Sequence, residues 1–172
     1  MAGKKATRKM LRSARLDDTD EEVFEKAAEG GEWAIPGSFE FLNDEDSTLV
    51  GKRLQAFHAG FLGLTSFGRS TIVSIASATD DQIQEAVEQL SRHLLEHYGA
   101  PDRAAARRAA RAEIEYAESL CEHDIGTLIA VEREFTEDGI EENFKRFVPD
   151  QVADWEAAKP LSLADLVKQE DL

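Results

Sequence analysis

Residues 70–99 read STIVSIASATDDQIQEAVEQLSRHLLEHYG, and the reading of this stretch decides the fold. Ser70–Ala78 is β-branched or small on both faces, which predicts a central strand covered on both sides. Thr79, followed three residues later by Gln82, is a capping-box start for a helix. Ile83, Val87, Leu90 and Leu94 then fall on one apolar stripe. Tyr98-Gly99 closes that helix, with Gly99 at the C′ position. Pro101 is expected as the first residue of a second helix, rich in Ala and Arg and running to about Glu122. Two long helices joined by so short a link pack as an antiparallel hairpin.

Outward from this centre the pattern is mostly strands. Met10–Asp17 roughly alternates and reads as a weak strand, and a short helix is expected over Glu21–Ala28, stopped by Gly30-Gly31. Ser38–Leu42 reads as a short strand with Phe39 and Phe41 on one face. Val50, Leu54, Phe57 and Phe61 fit helical spacing, yet Gly60, Gly63 and Gly68 weigh against a continuous helix. The expectation is therefore a β-meander: Lys52–Phe57, Phe61–Ser66, then Ser70–Ala78. Ile125–Phe135 is a second good strand, with Thr127, Ile129 and Val131 facing one way. Its later half, carrying Glu132, Arg133 and Glu134, is expected to emerge toward solvent or an edge. After a turn at Asp138-Gly139, Ile140–Val148 reads as a short helix. The sum is an α+β fold, a mostly antiparallel sheet with the long helical hairpin packed on one face. Residues 1–9 are expected to be a disordered basic arm, 10–149 a single α+β domain, and 150–172 a tail with a short amphipathic helix.

The 172 residues hold 35 Asp plus Glu against 20 Lys plus Arg, a formal charge of −15. Residues 1–15 carry six basic side chains and no acid, so the remainder sums to −21. Such a body repels phosphate backbones and anionic membranes, so neither nucleic acid nor membrane is an expected partner. The basic arm can fold back on that body. One cysteine, Cys121, allows no internal disulfide. Met1–Met10 is followed by no apolar region that would make it a secretory signal, and no run approaches the ~20 apolar residues of a membrane span. The expected compartment is the cytoplasm. The acidic, alanine-rich composition, with Arg over Lys, also fits a salt-adapted bacterium.

Few residues point to chemistry. His93-Leu94-Leu95-Glu96-His97 matches the H-x-x-E-H order of inverted zinc peptidases, in which imidazoles at i and i+4 bind zinc and the carboxylate activates water. A helix flank with His97 beside the apolar stripe explains the same five residues more simply. Cys121-Glu122-His123 cannot join that pair, being a helix length of ~30 Å away in a hairpin. There is no nucleophile elbow, no phosphate-binding glycine loop and no cofactor signature. Arg103, Arg107 and Arg111 form a ridge that reads as a solvated, internally paired face. The tail, with Trp155 and then Leu163, Leu166 and Val167 as apolar anchors, has the form of a helix-in-groove ligand for its own domain or another chain.

The segments Glu32-Trp33-Ala34-Ile35-Pro36-Gly37, Gly60-Phe61-Leu62-Gly63-Leu64 through Phe67-Gly68-Arg69, and Ala130-Val131-Glu132-Arg133-Glu134 resemble a bacterial domain-of-unknown-function family over residues 12–148. The resemblance carries no activity. It implies an accessory role, linked to maturation of a metalloenzyme or of a cofactor-ligase system. The leading expectation is a small non-catalytic accessory or interaction domain without a cofactor, binding a protein partner or itself through Trp33, His58, Arg69, Trp155, Leu163 and Leu166. The alternative is a small-molecule or metal-binding domain, hydrolytic in one version, centred on His93, Glu96 and His97, with His58 as a further centre.

Overall fold

The computed structural model describes residues 8–14, 19–45 and 47–148. Four strands form the main sheet in the order β1-β5-β6-β7: β1 Arg8–Ala14, β5 Ile72–Ala78, β6 Leu128–Thr136 and β7 Gly139–Phe147. Every pairing in it is antiparallel. A smaller antiparallel sheet joins β2 Ala34–Ile35, β3 Phe61–Gly63 and β4 Arg69–Ser70. Helices α1 Thr19–Val23, α2 Gly51–Ala59, α3 Asp80–His97 and α4 Arg103–Ser119 complete the α+β fold. None of these helices is long and apolar enough to cross a membrane.

The helical hairpin forms as its local signals require. Thr79 accepts from Gln82 N and its own N–H donates to the Gln82 side chain, closing the capping box. Gly99 takes φ +70°, the left-handed conformation that ends α3 without a Cβ penalty. Arg8 reaches both Asp80 at the start of α3 and Glu118 at the end of α4, so the two helices run antiparallel. Their buried stripes (Ile83, Val87, Leu90 and Leu94 from α3; Ala106, Ala110, Ile114 and Ala117 from α4) meet Leu11, Val73, Ile75, Ile129 and Val131 of the sheet in one core. Cys121, two residues beyond the end of α4, is buried, its thiol pushed up to about 12 by burial.

The structure corrects several boundaries and identities. The second helix starts one residue after Asp102, whose side chain caps it at Ala105 N, so Pro101 precedes the helix; it ends at Ser119 rather than Glu122. The first helix stops at Val23, because residues 24–28 are drawn out to meet the small sheet: Arg69 N donates to Lys26 O and Ala28 N to Arg69 O. Arg8 and Lys9 belong to β1, where they pair with Ala78 and Ser77.

Three elements change type. Ser38–Phe41 is a 3-10 helix, not a strand, and so Phe39 and Phe41 point apart: Phe39 packs edge-on against Tyr98 and Phe41 against Phe57. Residues 52–57 are helical within α2, because Gly60 stands just past the last turn and ends the helix instead of interrupting it. Phe57 is its one fully buried residue, stacked on Phe135 at 4.3 Å. Residues 140–147 are strand, not helix. The two-residue turn Glu137-Asp138 brings β7 back along β6 over nine residue pairs, and Ile140, Glu142, Phe144 and Arg146 share one face.

Candidate functional site

The three segments singled out above converge on two buried guanidinium groups. Arg69, on β4, donates from Nη1 to Pro36 O (3.1 Å) and Gly60 O (3.0 Å), and from Nη2 to Gly37 O (3.0 Å) and the Glu40 carboxylate. Arg133, on β6, donates from Nη1 to Phe57 O (2.8 Å) and Gly60 O (2.9 Å), from Nη2 to Pro36 O, and from Nε to Glu142 Oε2 (2.7 Å). The Phe41 ring lies under both, with the guanidinium carbons 4.8 and 5.9 Å from its centroid. Two cations thus face two carboxylates. Burial pulls the Arg69 pKa down to about 10, opposed first by Glu40, and pulls Arg133 down as well, opposed by Glu142. Arg69 stays protonated at neutral pH.

Arg133, on the half of β6 whose charges suggest solvent or an edge, is 2% exposed. Period two along β6 already carries it to the face of Ile129 and Val131. What the strand cannot show is that the carbonyls of the Pro36-Gly37 turn and of the α2 end are waiting there. Arg69 and Trp33, offered as surface contacts, are buried too, at 5% and 8% exposure. Trp33 bridges Arg12 through its backbone, and the Arg12 guanidinium lies 4.1 Å from its ring centre. His58 is exposed and its Nδ1 lies 2.9 Å from Arg133 O. Trp155, Leu163 and Leu166 lie outside the described residues.

Glycines make this centre possible. Gly37 takes φ +70°, and a Cβ there would come within 2.6 Å of Leu62 Cβ. A Cβ on Gly68 would lie 2.5 Å from the Ala27 carbonyl, which is backbone and cannot step aside. Beneath the β3–β4 turn, the buried Glu32 carboxylate accepts from Thr65 N (2.8 Å), Ser66 N (2.9 Å), Glu29 N (2.7 Å) and Ser66 Oγ (2.6 Å).

A half-open aromatic cluster adjoins the arginine centre through Glu40. Tyr98 Oη donates to Glu40 Oε2 (2.5 Å), and burial together with that bond pushes its pKa up. His93 stacks on Phe67 with centroids 3.7 Å apart, and Phe67 holds a left-handed backbone at φ +56°. His93 Nε2 is buried with no hydrogen-bond partner, 4.0 Å from Glu40 Oε2. Glu96 and His97, the other members of the H-x-x-E-H run, are exposed and meet each other at 3.9 Å. Among the described residues no group of three or more His, Cys, Asp or Glu side chains is arranged to hold a metal ion. No motif in the sequence marks Glu32, Glu40, Tyr98, Arg133 or Glu142 as site residues, because most of their partners come from other elements: residues 65 and 66 for Glu32, 69 and 98 for Glu40, and 36, 57 and 60 for Arg133.

His93 has a pH signature. Desolvation lowers its pKa, more than Glu40 and Glu96 raise it, with His97 and Lys26 lowering it further. The unfolded chain therefore binds this proton more readily, near pH 6.5. The neutral imidazole contributes stability that is present above that value and lost as pH falls through the lower folded value. His93→Gln is expected to flatten the decline in urea midpoint between pH 7 and pH 5; an unchanged slope would assign the decline to other groups.

Apolar side chains stay exposed on the elements that the Tyr98–Glu40 bond joins: Leu42 at 70% after the 3-10 helix, and Leu95 at 36% and Tyr98 at 44% at the end of α3, with half-buried Phe39 against Tyr98; Val50 and Ile125 are exposed as well. A family model described as a family of unknown function, DUF6505, matches residues 8–159. No curated protein and no solved structure matches the chain.

Proposed function

We propose that this chain, which belongs to the DUF6505 family of unknown function, is a small non-catalytic accessory domain that docks a protein partner through its exposed aromatic surface. The observation that carries this reading is the contrast between that surface and the polar groups beside it. Arg69, Arg133, Glu40 and Tyr98 spend their hydrogen bonds on one another, on Glu142 and on backbone carbonyls, so they hold the surface in shape. Above them Leu42, Leu95 and Tyr98 expose apolar surface on an anchored scaffold, which is the composition of an interface centre. With a chain at −15, and Asp44, Glu45 and Glu96 around the patch, the fitting partner presents an apolar helix flanked by Lys or Arg. An enzyme whose maturation needs an accessory subunit is the class of partner that the sequence resemblance implies.

A photo-crosslinking residue at Leu42, in cells that make the protein naturally, tests this. One partner is expected to be captured, and Leu95→Asp is expected to remove it while the melting temperature holds. No captured protein, or capture indifferent to Leu95→Asp, would overturn the reading. The second reading, a small-molecule or hydrolytic site at His93, Glu96 and His97, draws on a single feature, the buried and unpartnered His93 Nε2. Zinc binding lost on His93→Gln would favour it over docking.

A further inference from the structure

We infer that His93 is a proton switch in the exposed aromatic surface: on gaining a second proton, its imidazole closes on Glu40 and opens the Tyr98–Glu40 hydrogen bond. As a regulator of docking, the switch rests on the reading above. Glu40 is the hub. Its Oε1 accepts from Arg69 Nη2, and its Oε2 accepts from Tyr98 Oη (2.5 Å). His93 Nε2, buried and without a hydrogen-bond partner, stands 4.0 Å from that same Oε2. Hydrogen-bond contact needs about 1 Å of movement.

The imidazole has little room to turn elsewhere. Phe67 lies flat on it, with centroids 3.7 Å apart and ring planes within 6° of parallel. The His97 and Tyr98 rings lie 5.0 and 5.4 Å away. Phe67 takes φ +56°, and among the described residues no other residue with a Cβ has a positive φ. Such a backbone persists only where its surroundings hold it, so the stack is a fixed part of the turn. While the ring is neutral, Nε2 can go without a partner. A second proton puts an N–H on both ring nitrogens and a charge on the ring. A buried charge without a counter-charge is costly, and Glu40 Oε2 is the carboxylate oxygen within reach.

Charge decides which bond yields. An imidazolium N–H adds the attraction of opposite charges to its hydrogen bond, which the neutral Tyr98 hydroxyl lacks. Arg69 keeps Glu40 pinned at Oε1, so Oε2 swings toward His93 and away from Tyr98. Tyr98, the C-cap of α3, is exposed enough to give its hydroxyl to water. Phe39 packs edge-on against that ring and shifts with it. The surrounding groups set the pH at which this happens. Burial opposes the proton most, joined by His97 on α3 and Lys26 in the segment before β2; Glu40 on the 3-10 helix and Glu96 on α3 favour it. Arg69 and Arg133 stand beyond Glu40, and residues 64–68 of the β3–β4 turn bring no titratable group. The ring is therefore neutral at pH 7 and charges below about pH 6.5. A new positive charge and a displaced Tyr98 both disfavour a partner flanked by Lys or Arg, so acidification is expected to release it.

Nuclear magnetic resonance of the full chain between pH 8 and pH 5 tests the switch. The ring signals of Tyr98 and Phe39 are expected to move at the midpoint of His93, and in His93→Gln to stay still over that range. Competition for Oε2 makes a second demand. Tyr98→Phe, which removes the hydroxyl alone, is expected to raise the proton affinity of His93 about tenfold, one pH unit in its midpoint. Circular dichroism at pH 8 should show both variants folded. A His93 midpoint that Tyr98→Phe leaves unchanged overturns the switch, as do Tyr98 signals that titrate alike with and without His93. Neither readout needs a partner, so the switch can fail while capture at Leu42 stands, and the reverse.

Discussion

Arg133→Ala is expected to destabilise the protein by about 3–5 kcal/mol, the range for breaking a buried ion pair on one side. The substitution removes the charge that faces Glu142 and strips the donors from Phe57 O, Gly60 O and Pro36 O. The Glu142 carboxylate, with 9% of its side chain exposed, is left with Tyr116 alone. A domain of this size has a total stability of about 5–15 kcal/mol, so the variant sits near the unfolding threshold. Arg133→Lys should recover little, because an ammonium on a flexible stem cannot reproduce the planar fork that reaches Glu142 and the carbonyls of Ala56, Phe57, Gly60 and Pro36. Urea unfolding followed by circular dichroism measures both. A loss under about 1 kcal/mol for Arg133→Ala, the scale of a surface contact, would show that the guanidinium is dispensable and that water satisfies the carbonyls.

The second large effect is at Glu32. Its two oxygens accept four hydrogen bonds and donate none, so Glu32→Gln must aim an amide N–H₂ at N–H donors whichever way the amide is turned. A loss of about 2–3 kcal/mol is expected, on the scale of a buried donor left unpaired. Glu32→Ala should cost more, since Glu29 N, Thr65 N and Ser66 N then lose their acceptor together. Gly63 supplies the control. A Cβ there overlaps the Glu32 carboxylate, so Gly63→Ala is expected to be damaging in the natural sequence and much milder beside Glu32→Ala. Additive losses in that double-mutant cycle would mean that the glycine serves its own backbone rather than the carboxylate.

Both predictions concern residues that ordinary pattern reading passes over. Glu32 lies in an acidic sequence where any one carboxylate looks like the rest. Arg133 sits in a run of alternating charge that looks solvent-bound. Arg69, directly after Phe67-Gly68, has the look of a surface contact and is buried. The motif match at His93–His97 was legible and yet its three side chains divide: His93 turns under Phe67, while Glu96 and His97 face water.

Local chemistry alone specified most of the strand read at Ser70–Ala78, of which Ile72–Ala78 forms β5 while Ser70 belongs to β4, together with the capping box at Thr79 and Gln82, the glycine stop at Gly99 and the hairpin of α3 and α4. Each of these depends on groups a few residues apart, so a periodicity or a cap is enough to state it. The tertiary structure decided the rest. Residues 140–147 carry apolar side chains at a spacing that suits a helix, and become strand because β6 lies alongside to pair with them. The burial of Arg69 and Arg133 required carbonyls from residues 36, 37, 57 and 60 and carboxylates from Glu40 and Glu142 to arrive at one place. A charge can leave water only when its partners have been assembled, and here they come from positions up to 97 residues apart. No window along the chain holds that information.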